Sequence, residues 1–237
     1  MTNIDDVRRR FGETAARYAE HTAEHVGEVS ERLERYLNLR GDERALDVGT
    51  GAGTLAIALA PLVREVIGVD VVPELLEAAR GLAPENVTFQ EADATSLPFE
   101  AYWFDVVGTR RTLHHVARPE LVMAEISRVA KLGAVVVVED QVAPIDPLAA
   151  LALDRFESAR DPSHVRTLPD VDLRQLFEVN GLSLEQTHVE REVRPLEPYL
   201  DLAGCEGPSR EVAKGLSPQG SEEYTVDAAF YVLRKLY

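Results

Sequence analysis

Short apolar runs alternate with amphipathic stretches between residues 44 and 140 of the chain. Runs rich in Val, Ile and Phe predict five strands, at 44–49, 65–70, 86–90, 104–109 and 133–140. Apolar residues at helical spacing predict three helices between them, at 53–62, 73–81 and 118–131. Because strands and helices alternate, the pattern predicts a doubly wound, mostly parallel α/β sheet. Ligands bind such a sheet at the carboxyl ends of its strands.

The segments on either side of this region are also patterned. Residues 4–20 and about 25–39 are predicted to form two amphipathic helices, and Gly41 ends the second. A proline-bearing linker follows the fifth strand at 141–147. The pattern after it predicts two helices and then two strands, at 147–160, 170–180, 182–190 and 224–234. The interval 191–221, with four prolines and four glycines, is interpreted as an insertion near the ligand or as a surface loop without a ligand role.

The segment at 45–53, Ala-Leu-Asp-Val-Gly-Thr-Gly-Ala-Gly, carries the clearest chemical signal. A glycine-dense turn between a strand and a helix lets a ligand contact the backbone at the positive end of the helix. The spacing Gly49-x-Gly51-x-Gly53 differs from the Gly-x-Gly-x-x-Gly of dinucleotide sites. The Asp47 carboxylate would repel a pyrophosphate but suits a cation with an amino-acid end, and S-adenosylmethionine is such a ligand.

Residues 45–53 resemble motif I of the class I S-adenosylmethionine-dependent methyltransferases, and further segments follow in that family's order. Val66–Asp70 resembles the second strand with its ribose-binding acid, and Gln90–Phe99 the segment whose acid faces the adenine. Phe104–His115 resembles the fourth strand and loop of the small-molecule branch that includes the ubiquinone/menaquinone biosynthesis methyltransferases. Phe11–Tyr18 resembles the signature that precedes motif I. The alternative is an unrelated nucleotide-binding α/β domain.

The resemblance, to the type 11 methyltransferase domain in particular, implies a Rossmann-like fold. It implies a seven-stranded, mostly parallel sheet with an antiparallel last strand and an N-terminal helical cap at 1–40. We therefore expect one domain over 1–237, with its cofactor-binding core at 41–140. The segments 141–180 and 191–221 are expected to form lid or substrate-side insertions.

The resemblance also implies the cofactor-binding residues. They are, in chain order, Tyr18, Asp47, Gly49, Thr50, Gly51, Gly53, Asp70, Val71, Asp93, Ala94, Thr109 and Arg110. Asp70 would accept the ribose hydroxyls, or alternatively cap the helix that begins near Pro73. Asp93 would face the adenine amine, or alternatively be an acidic turn residue. The glycines would admit the methionine part of the ligand, or alternatively only make a tight turn.

Candidates for the chemistry lie on the loop after the fourth strand. His114 or His115 could act as a base near neutrality, or stabilise the start of the next helix. Arg110 and Arg111 would either bind an acidic group of the substrate or pair with Asp140 or Asp105. The substrate-side candidates are Arg111, His115, Asp140, His164 and Arg166. The cluster of Asp161, His164 and Arg166 is alternatively a turn held by its own salt links.

The composition of the chain limits the kinds of partner and ligand that we expect. A net charge of −16 disfavours phosphate backbones, and Arg8–Arg10 is interpreted as a solvated helix face rather than a nucleic-acid contact. No apolar run is long enough to span a bilayer, and the N-terminus lacks a signal-peptide pattern. The single Cys205 excludes an internal disulfide and a multi-cysteine metal site. We expect a cytoplasmic protein with a small-molecule substrate, no nucleic-acid partner and no metal; a homodimer is an open alternative to a monomer.

The expected reaction is methyl transfer from S-adenosylmethionine to carbon or oxygen of a small molecule by in-line displacement, which leaves S-adenosylhomocysteine. One alternative is a protein that binds the cofactor without transfer, as a sensor or assembly partner. Another is a nicotinamide oxidoreductase, which the motif spacing disfavours. The chain departs from the family at Lys131–Ala134, where Lys-Pro-Gly-Gly is usual. That turn is expected to lie far from the transferred methyl group.

Overall fold

Seven strands form one sheet in the order β3-β2-β1-β4-β5-β7-β6 in the computed structural model, which describes residues 3–217 and 222–237. The strands are β1 (Arg44–Val48), β2 (Glu65–Asp70), β3 (Val87–Glu91), β4 (Phe104–Arg110), β5 (Ala130–Val142), β6 (Leu182–Pro195) and β7 (Glu223–Lys235). The first five are parallel neighbours, and β7 runs antiparallel to both β5 and β6. The predicted fold class is confirmed, with the antiparallel last strand in the position that the family resemblance implied.

Helices cover the sheet. They are α1 (Asn3–Tyr36), α2 (Thr54–Leu59), α3 (Pro73–Leu82), α4 (Pro119–Val129), α5 (Pro147–Arg160), α6 (Asp170–Val179), α7 (Leu196–Leu202) and α8 (Gly207–Leu216). Alternate residues of a strand point to opposite faces, so β5 serves two apolar cores. Val136 and Val138 lie in one core, and Val135 and Val137 in the other. Full burial of each such side chain stabilises the fold by about 1.5–3 kcal/mol.

The N-terminal cap is one helix, so the prediction of two helices with a break between 20 and 25 is wrong. Neither proline nor glycine occurs in residues 20–25, and the helix continues through them. Thr22 is buried, and its hydroxyl lies 2.8 Å from the Thr54 hydroxyl at the start of α2. This contact fixes the middle of α1 above the glycine turn.

Two other element boundaries differ from the prediction for local reasons. Pro61 has no amide N–H to continue the α-helical hydrogen bonds, so residues Ala60–Leu62 form a 3-10 turn after α2. In β5, Ala130 pairs with Phe104 whereas Val135 pairs with Val106, so Lys131–Ala134 lies in an irregularity at the amino end of the strand. The family departure is therefore at the sheet edge opposite the carboxyl ends of the strands, as expected.

Most of the described part of the interval 191–221, residues 191–217, forms a strand end and two helices. β6 continues to Pro195, and α7 and α8 follow it. Leu196, Tyr199 and Leu200 are buried against α5 and β7, because α7 presents an apolar face to them. Residues 218–221 lie outside the described residues. Within the described part of the chain, no helix has both the length and the apolar composition that crossing a membrane requires.

Candidate cofactor and acceptor site

A cavity of about 1070 Å³ opens at the carboxyl edge of the sheet, next to the glycine turn. The ends of β1, β2 and β4 contribute its floor, and α1 lies over it. Of the residues assigned by resemblance to the cofactor, those that line the cavity are Tyr18, Asp47, Gly49, Thr50, Gly51, Asp70, Val71, Asp93, Ala94 and Arg110. The segment before motif I and the four later motifs thus meet at one place.

All three glycines of the turn have positive φ, and two of them determine its shape at the cavity. Gly49 has φ +70°, and a Cβ there would collide with the side chain of Thr112 from the loop after β4. Gly51 has φ +54°, and a Cβ there would meet no atom within 4 Å because it would project into open space. The first glycine therefore allows β1 and the Thr112 loop to approach each other, and the second leaves room for a ligand at the backbone. Thr112 lines the cavity and lies in the segment Phe104–His115, but it was not among the candidate site residues.

Asp47 lines the cavity, and one of its carboxylate oxygens has no partner among the described residues. Its Oδ2 accepts hydrogen bonds from the Thr50 hydroxyl at 2.6 Å and the Ala56 amide at 3.0 Å. Its Oδ1 is buried and has no hydrogen-bond partner among the described residues. Burial raises the pKa of Asp47 to about 7, against the two hydrogen bonds that lower it. A ligand ammonium group would supply the missing partner and stabilise the ionised form, so this carboxylate fits the amino-acid end of S-adenosylmethionine.

Asp70 ends β2 and accepts two backbone hydrogen bonds, from Gly51 at 2.8 Å and Val72 at 3.0 Å. Val72 is the residue that precedes α3, so Asp70 also contacts the start of that helix, and the alternative of a capping role stays open beside the ribose role. Each carboxylate oxygen keeps a second lone pair, which is what two adjacent ribose hydroxyls require. Burial raises the pKa of Asp70 above its ordinary value.

The wall beyond Asp70 is apolar. Val71 packs with Val7, Phe11 and Tyr18 of α1 beside the buried Leu75, and together they form a surface suited to a flat aromatic ring. Asp93 accepts hydrogen bonds at Oδ1 from both the amide and the hydroxyl of Thr95, at 2.8 and 2.7 Å. The acidic turn of the alternative interpretation is therefore present, and it holds the Asp93 carboxyl group at the cavity edge.

Two residues implied by the resemblance do not line the cavity. The Thr109 hydroxyl donates to the Val48 carbonyl at 2.8 Å, so its side chain links β4 to β1 inside the sheet. Gly53 has φ +91°, and a Cβ there would lie 3.2 Å from both Ala79 and Phe89. Thr109 and Gly53 therefore contact residues of the strands and helices beneath the turn, and they have a structural role there.

The arginines at the end of β4 pair with acids that the sequence analysis did not consider for them. Arg110 Nε lies 3.1 Å from Glu139 Oε1, and Arg111 forms an ion pair with Glu192. Burial lowers the pKa of Arg110. No ion pair between the described residues joins either arginine to Asp140 or Asp105, so the predicted pairing is wrong. Asp105 instead lies 2.7 Å from Lys131.

The substrate-side assignment of Asp140 is corrected for a simple reason. Glu139 and Gln141 line the cavity, and because side chains alternate along a strand, Asp140 points to the other face. There it hydrogen-bonds to the Leu113 amide at 2.8 Å and to His114 Nδ1. This network fixes the loop after β4 from beneath.

His164 and Arg166 are also absent from the cavity lining. His164 is buried, with Nε2 3.0 Å from Asp154 Oδ1, and exposed Arg166 pairs with Asp172 at 3.3 Å. The third member of the predicted cluster, Asp161, pairs with Arg10 at 2.6 Å. The alternative of a turn held by its own salt links is therefore wrong as well, since these partners come from outside the turn.

The two histidines of the loop differ. His114 is buried on Asp140, whereas His115 is partly exposed to the cavity, with its Nδ1 3.1 Å from the Ser163 hydroxyl. Burial lowers the pKa of His115 well below its ordinary value, and the neighbouring His114 adds to the effect.

Arg10, predicted to belong to a solvated helix face, is only 3% exposed. The sequence gives no local signal for its burial, since its partner Asp161 is distant in the chain.

Known proteins share this arrangement. A family model described as a methyltransferase domain matches residues 46–138. The chain is 34% identical over 179 residues to the methyltransferase YcgJ of Bacillus subtilis (strain 168), covering 74% of this chain and 71% of that protein. The crystal structure of YcgJ matches with a TM-score of 0.84 at 25% identity, over 89% of this chain and 99% of that one.

Other relatives have names that specify different acceptors. A demethylmenaquinone methyltransferase of Clavibacter sepedonicus is 35% identical over 126 residues, which cover 52% of this chain and about half, 51%, of that protein. A protein-L-isoaspartate O-methyltransferase of Myxococcus xanthus (strain DK1622) is 30% identical over 155 residues, covering 63% of this chain and 68% of the relative. With its motifs, its strand order and these relatives, the chain belongs to the class I S-adenosylmethionine-dependent methyltransferases, and S-adenosylmethionine is its cofactor.

Proposed function

We propose that the protein methylates a small molecule, at oxygen or carbon, within the cavity beneath α1. The observation that carries the proposal is the buried, unpartnered Oδ1 of Asp47, a residue that lines this cavity at the glycine turn. A helix of the cap covers the same space, which favours an acceptor that enters whole over a segment of a macromolecule. The net charge of −16 further disfavours a nucleic-acid acceptor.

The residues of the chain would bind and orient the reactants. Asp47 would hold the ammonium group, Asp70 the ribose hydroxyls and Val71 one face of the adenine. When bound, S-adenosylmethionine supplies a methyl group on a positively charged sulfur, which leaves as a neutral thioether. The protein then has mainly to align the acceptor and exclude water.

The acceptor half of the cavity is polar and nearly balanced in charge. Arg110 and Arg111 pair with Glu139 and Glu192, and Arg32 lies 2.8 Å from Glu190 Oε2. Such pairs can exchange a partner for a polar substrate group without leaving a lone buried charge. This supports a polar acceptor of modest size.

The test compares binding with transfer. Calorimetry with S-adenosylhomocysteine measures cofactor binding by the wild type and by Asp70→Ala. Labelled S-adenosylmethionine is then incubated with the protein and a mixed pool of phenolic, enolic and carboxylic small molecules. Label in low-molecular-weight product supports the proposal. Binding without any product would favour the alternative of a cofactor-binding protein, and label on added protein or RNA would exclude a small-molecule acceptor.

A further inference from the structure

A row of polar groups leads from the cavity wall into the protein interior. His115 lines the cavity, and its Nδ1 lies 3.1 Å from Ser163 Oγ. Ser163 Oγ lies 2.5 Å from Asp161 Oδ1, and Asp161 Oδ2 lies 2.6 Å from Arg10 Nη2. Ser163 and Asp161 are fully buried. These contacts join α1, the loop after β4 and the turn after α5, which are distant in sequence.

The hydrogen-bond inventory of this row fixes the tautomer of His115. Burial alone would raise the pKa of Asp161, but the neighbouring His115, the guanidinium groups of Arg10 and Arg160, and the hydrogen bond from Ser163 hold it below its usual range. Asp161 is therefore ionised and can only accept, so the single hydroxyl proton of Ser163 goes to it. The Ser163 oxygen then offers only lone pairs to His115. Nδ1 of His115 must carry the proton, and Nε2 keeps a free lone pair.

The position of that lone pair follows from the ring. Nδ1 is directed at Ser163 in the interior, and Nε2 lies across the ring from it. The rings of His115 and Phe11 form a T-shaped pair with centroids 5.1 Å apart, and Phe11 belongs to the apolar wall beside Val71. Thr112, three residues earlier, contacts the glycine turn through its hydroxyl, 3.3 Å from the Gly49 carbonyl oxygen. The His115 ring thus lines the cavity beside the apolar wall, on the loop whose Thr112 contacts the glycine turn.

The other histidine of the loop, His114, has a different hydrogen-bond partner. His114 Nδ1 is bonded to the Asp140 carboxylate on the far side of the strand, and its side chain is buried. Its ring lies 4.2 Å from the His115 ring, centroid to centroid, so a charge on one disfavours a charge on the other. Both histidines line the cavity, but Asp140 holds Nδ1 of His114, so His115 is the histidine of the pair that is joined to the buried row.

We propose that His115 is the catalytic base of the reaction and that Ser163, Asp161 and Arg10 are its positioning residues. The proposal rests on the proposed function and gives its acceptor a class: a small molecule whose nucleophile is an acidic hydroxyl group, phenolic or enolic. Nε2 takes the hydroxyl proton while the oxygen forms its bond to the methyl carbon. The methyl–sulfur bond breaks with its electron pair going to sulfur, so a neutral thioether, a methyl ether and an imidazolium result.

The energetic role of the buried row is to hold the ring before the reaction and stabilise the imidazolium after it. The negative charge of Asp161 reaches His115 through the Ser163 hydroxyl, and Arg10 keeps that carboxylate ionised and fixed. General bases of this kind contribute on the order of 10²–10⁴ in rate. Loss of the Ser163 hydroxyl should therefore lower the rate without altering the cofactor pocket.

The first test does not depend on the acceptor. Nitrogen NMR of protein labelled at its six histidines, with His115 assigned by the variant His115→Gln, reports which imidazole nitrogen carries the proton. We expect Nδ1–H with an unprotonated Nε2 in the wild type, and a shift toward Nε2–H in Ser163→Ala. Nε2–H in the wild type, or no change in Ser163→Ala, would overturn the proposal. Unchanged affinity for S-adenosylhomocysteine shows that the variant is folded.

The second test uses a phenolic compound that the wild type methylates. We expect His115→Gln to lower kcat at least 100-fold and Ser163→Ala about 10-fold, each with little change in the KM for S-adenosylmethionine. His188→Gln is the matched control, since His188 is half-exposed and outside the cavity lining. Equal kcat in His115→Gln and the wild type would overturn the base assignment while the proposed function stands. Absence of product from the wild type with the whole acceptor pool would instead remove the proposed function.

The pH profile separates a base from a structural residue. Burial is the largest cause of the lowered pKa of His115. Of the groups that face it, His114, Arg10 and His164 lower the pKa further and Asp161 raises it. We expect the acid limb of kcat to lie below pH 6.5 in the wild type and to be missing from the residual activity of His115→Gln. The same limb in both proteins would contradict the proposal.

Discussion

The Thr50 hydroxyl donates a hydrogen bond to Asp47 Oδ2 over 2.6 Å, and this contact orients the carboxylate so that Oδ1 is left without a partner. Both side chains are buried in the glycine turn. An isolated buried carboxylate is unfavourable, which is why burial raises the pKa of Asp47 to about 7. In the unliganded protein the ionised Asp47 carboxylate is therefore unfavourable, and a bound cationic ligand would stabilise it.

Asp47→Asn should bind the cofactor weakly and yet be more stable at alkaline pH. The pKa of Asp47 is raised in the folded state, so its contribution to stability is fully present below the unfolded value of 3.8 and is lost as pH rises through about 7. The shift corresponds to at most about 4 kcal/mol, and we expect a gain on the order of 2 kcal/mol at pH 8, because the asparagine amide leaves a donor unpartnered. Urea unfolding at pH 5 and pH 8 measures this gain.

The matched control is Asp42→Asn, since Asp42 is a surface acid with 70% of its side chain exposed. It should change neither the pH dependence of unfolding nor the affinity for S-adenosylhomocysteine. Equal destabilisation of Asp47→Asn at both pH values would contradict the assigned pKa.

Removal of the Thr50 hydroxyl should weaken cofactor binding through Asp47. The hydroxyl lowers the pKa of Asp47, so Thr50→Val leaves a larger protonated fraction at pH 7. We expect the Kd for S-adenosylhomocysteine to rise about 5- to 10-fold at pH 7, equivalent to about 1 kcal/mol, and to recover at pH 8.5. Thr50→Ser retains the hydroxyl and should bind as the wild type does. A loss in Thr50→Val that is independent of pH would point to packing instead.

Asp47 and Asp70 should be separable with a shortened ligand. 5′-Methylthioadenosine has the ribose and adenine of the cofactor but no amino-acid end. Asp70→Ala should weaken its binding at least 10-fold because the carboxylate no longer accepts the ribose hydroxyls, whereas Asp47→Asn should leave it nearly unchanged. Fluorescence or calorimetric titration of both variants gives the comparison. Equal losses in the two variants would mean that the subsites are assigned wrongly.

Alanine substitutions at Gly49 and Gly51 should have different effects on stability and on cofactor binding. Gly49→Ala introduces a methyl group into the side chain of Thr112, so we expect destabilisation of about 2 kcal/mol or more, partly restored by adding Thr112→Ala. Gly51→Ala faces open space and should cost only the strain of its positive φ, about 1 kcal/mol, while obstructing the cofactor. Denaturant unfolding and ligand titration together distinguish them. Similar stability of the two variants would contradict the described close approach.

The sequence allows the residues of the cofactor half of the site to be proposed because its signals are local. The acid, the glycines and the helix start lie within residues 45–54, and the Val-rich strands are buried on both faces. Strand alternation could have placed Asp140 away from the cavity and Glu139 toward it, had the strand face been known.

The acceptor half could not be predicted in the same way because its contacts join distant segments. Arg10 looks like one of three surface arginines until the turn after α5 brings Asp161 to it. Ser163 belongs to no motif, and its proposed role depends on its contact with His115 in the folded protein. The position of α1 over the glycine turn likewise involves the contact of Thr22 with Thr54, a tertiary contact that helical periodicity does not encode.

The most direct measurement is the proton balance of cofactor binding. S-adenosylhomocysteine is titrated calorimetrically into wild type and Asp47→Asn at pH 7, in two buffers of different ionisation enthalpy. With the pKa of Asp47 at about 7, about half of the sites are protonated, so binding of the ammonium group should release about half a proton per site in the wild type and none in the variant. Tight binding by Asp47→Asn with the same proton balance as the wild type would contradict the assignment of Asp47 as the residue that receives the cofactor.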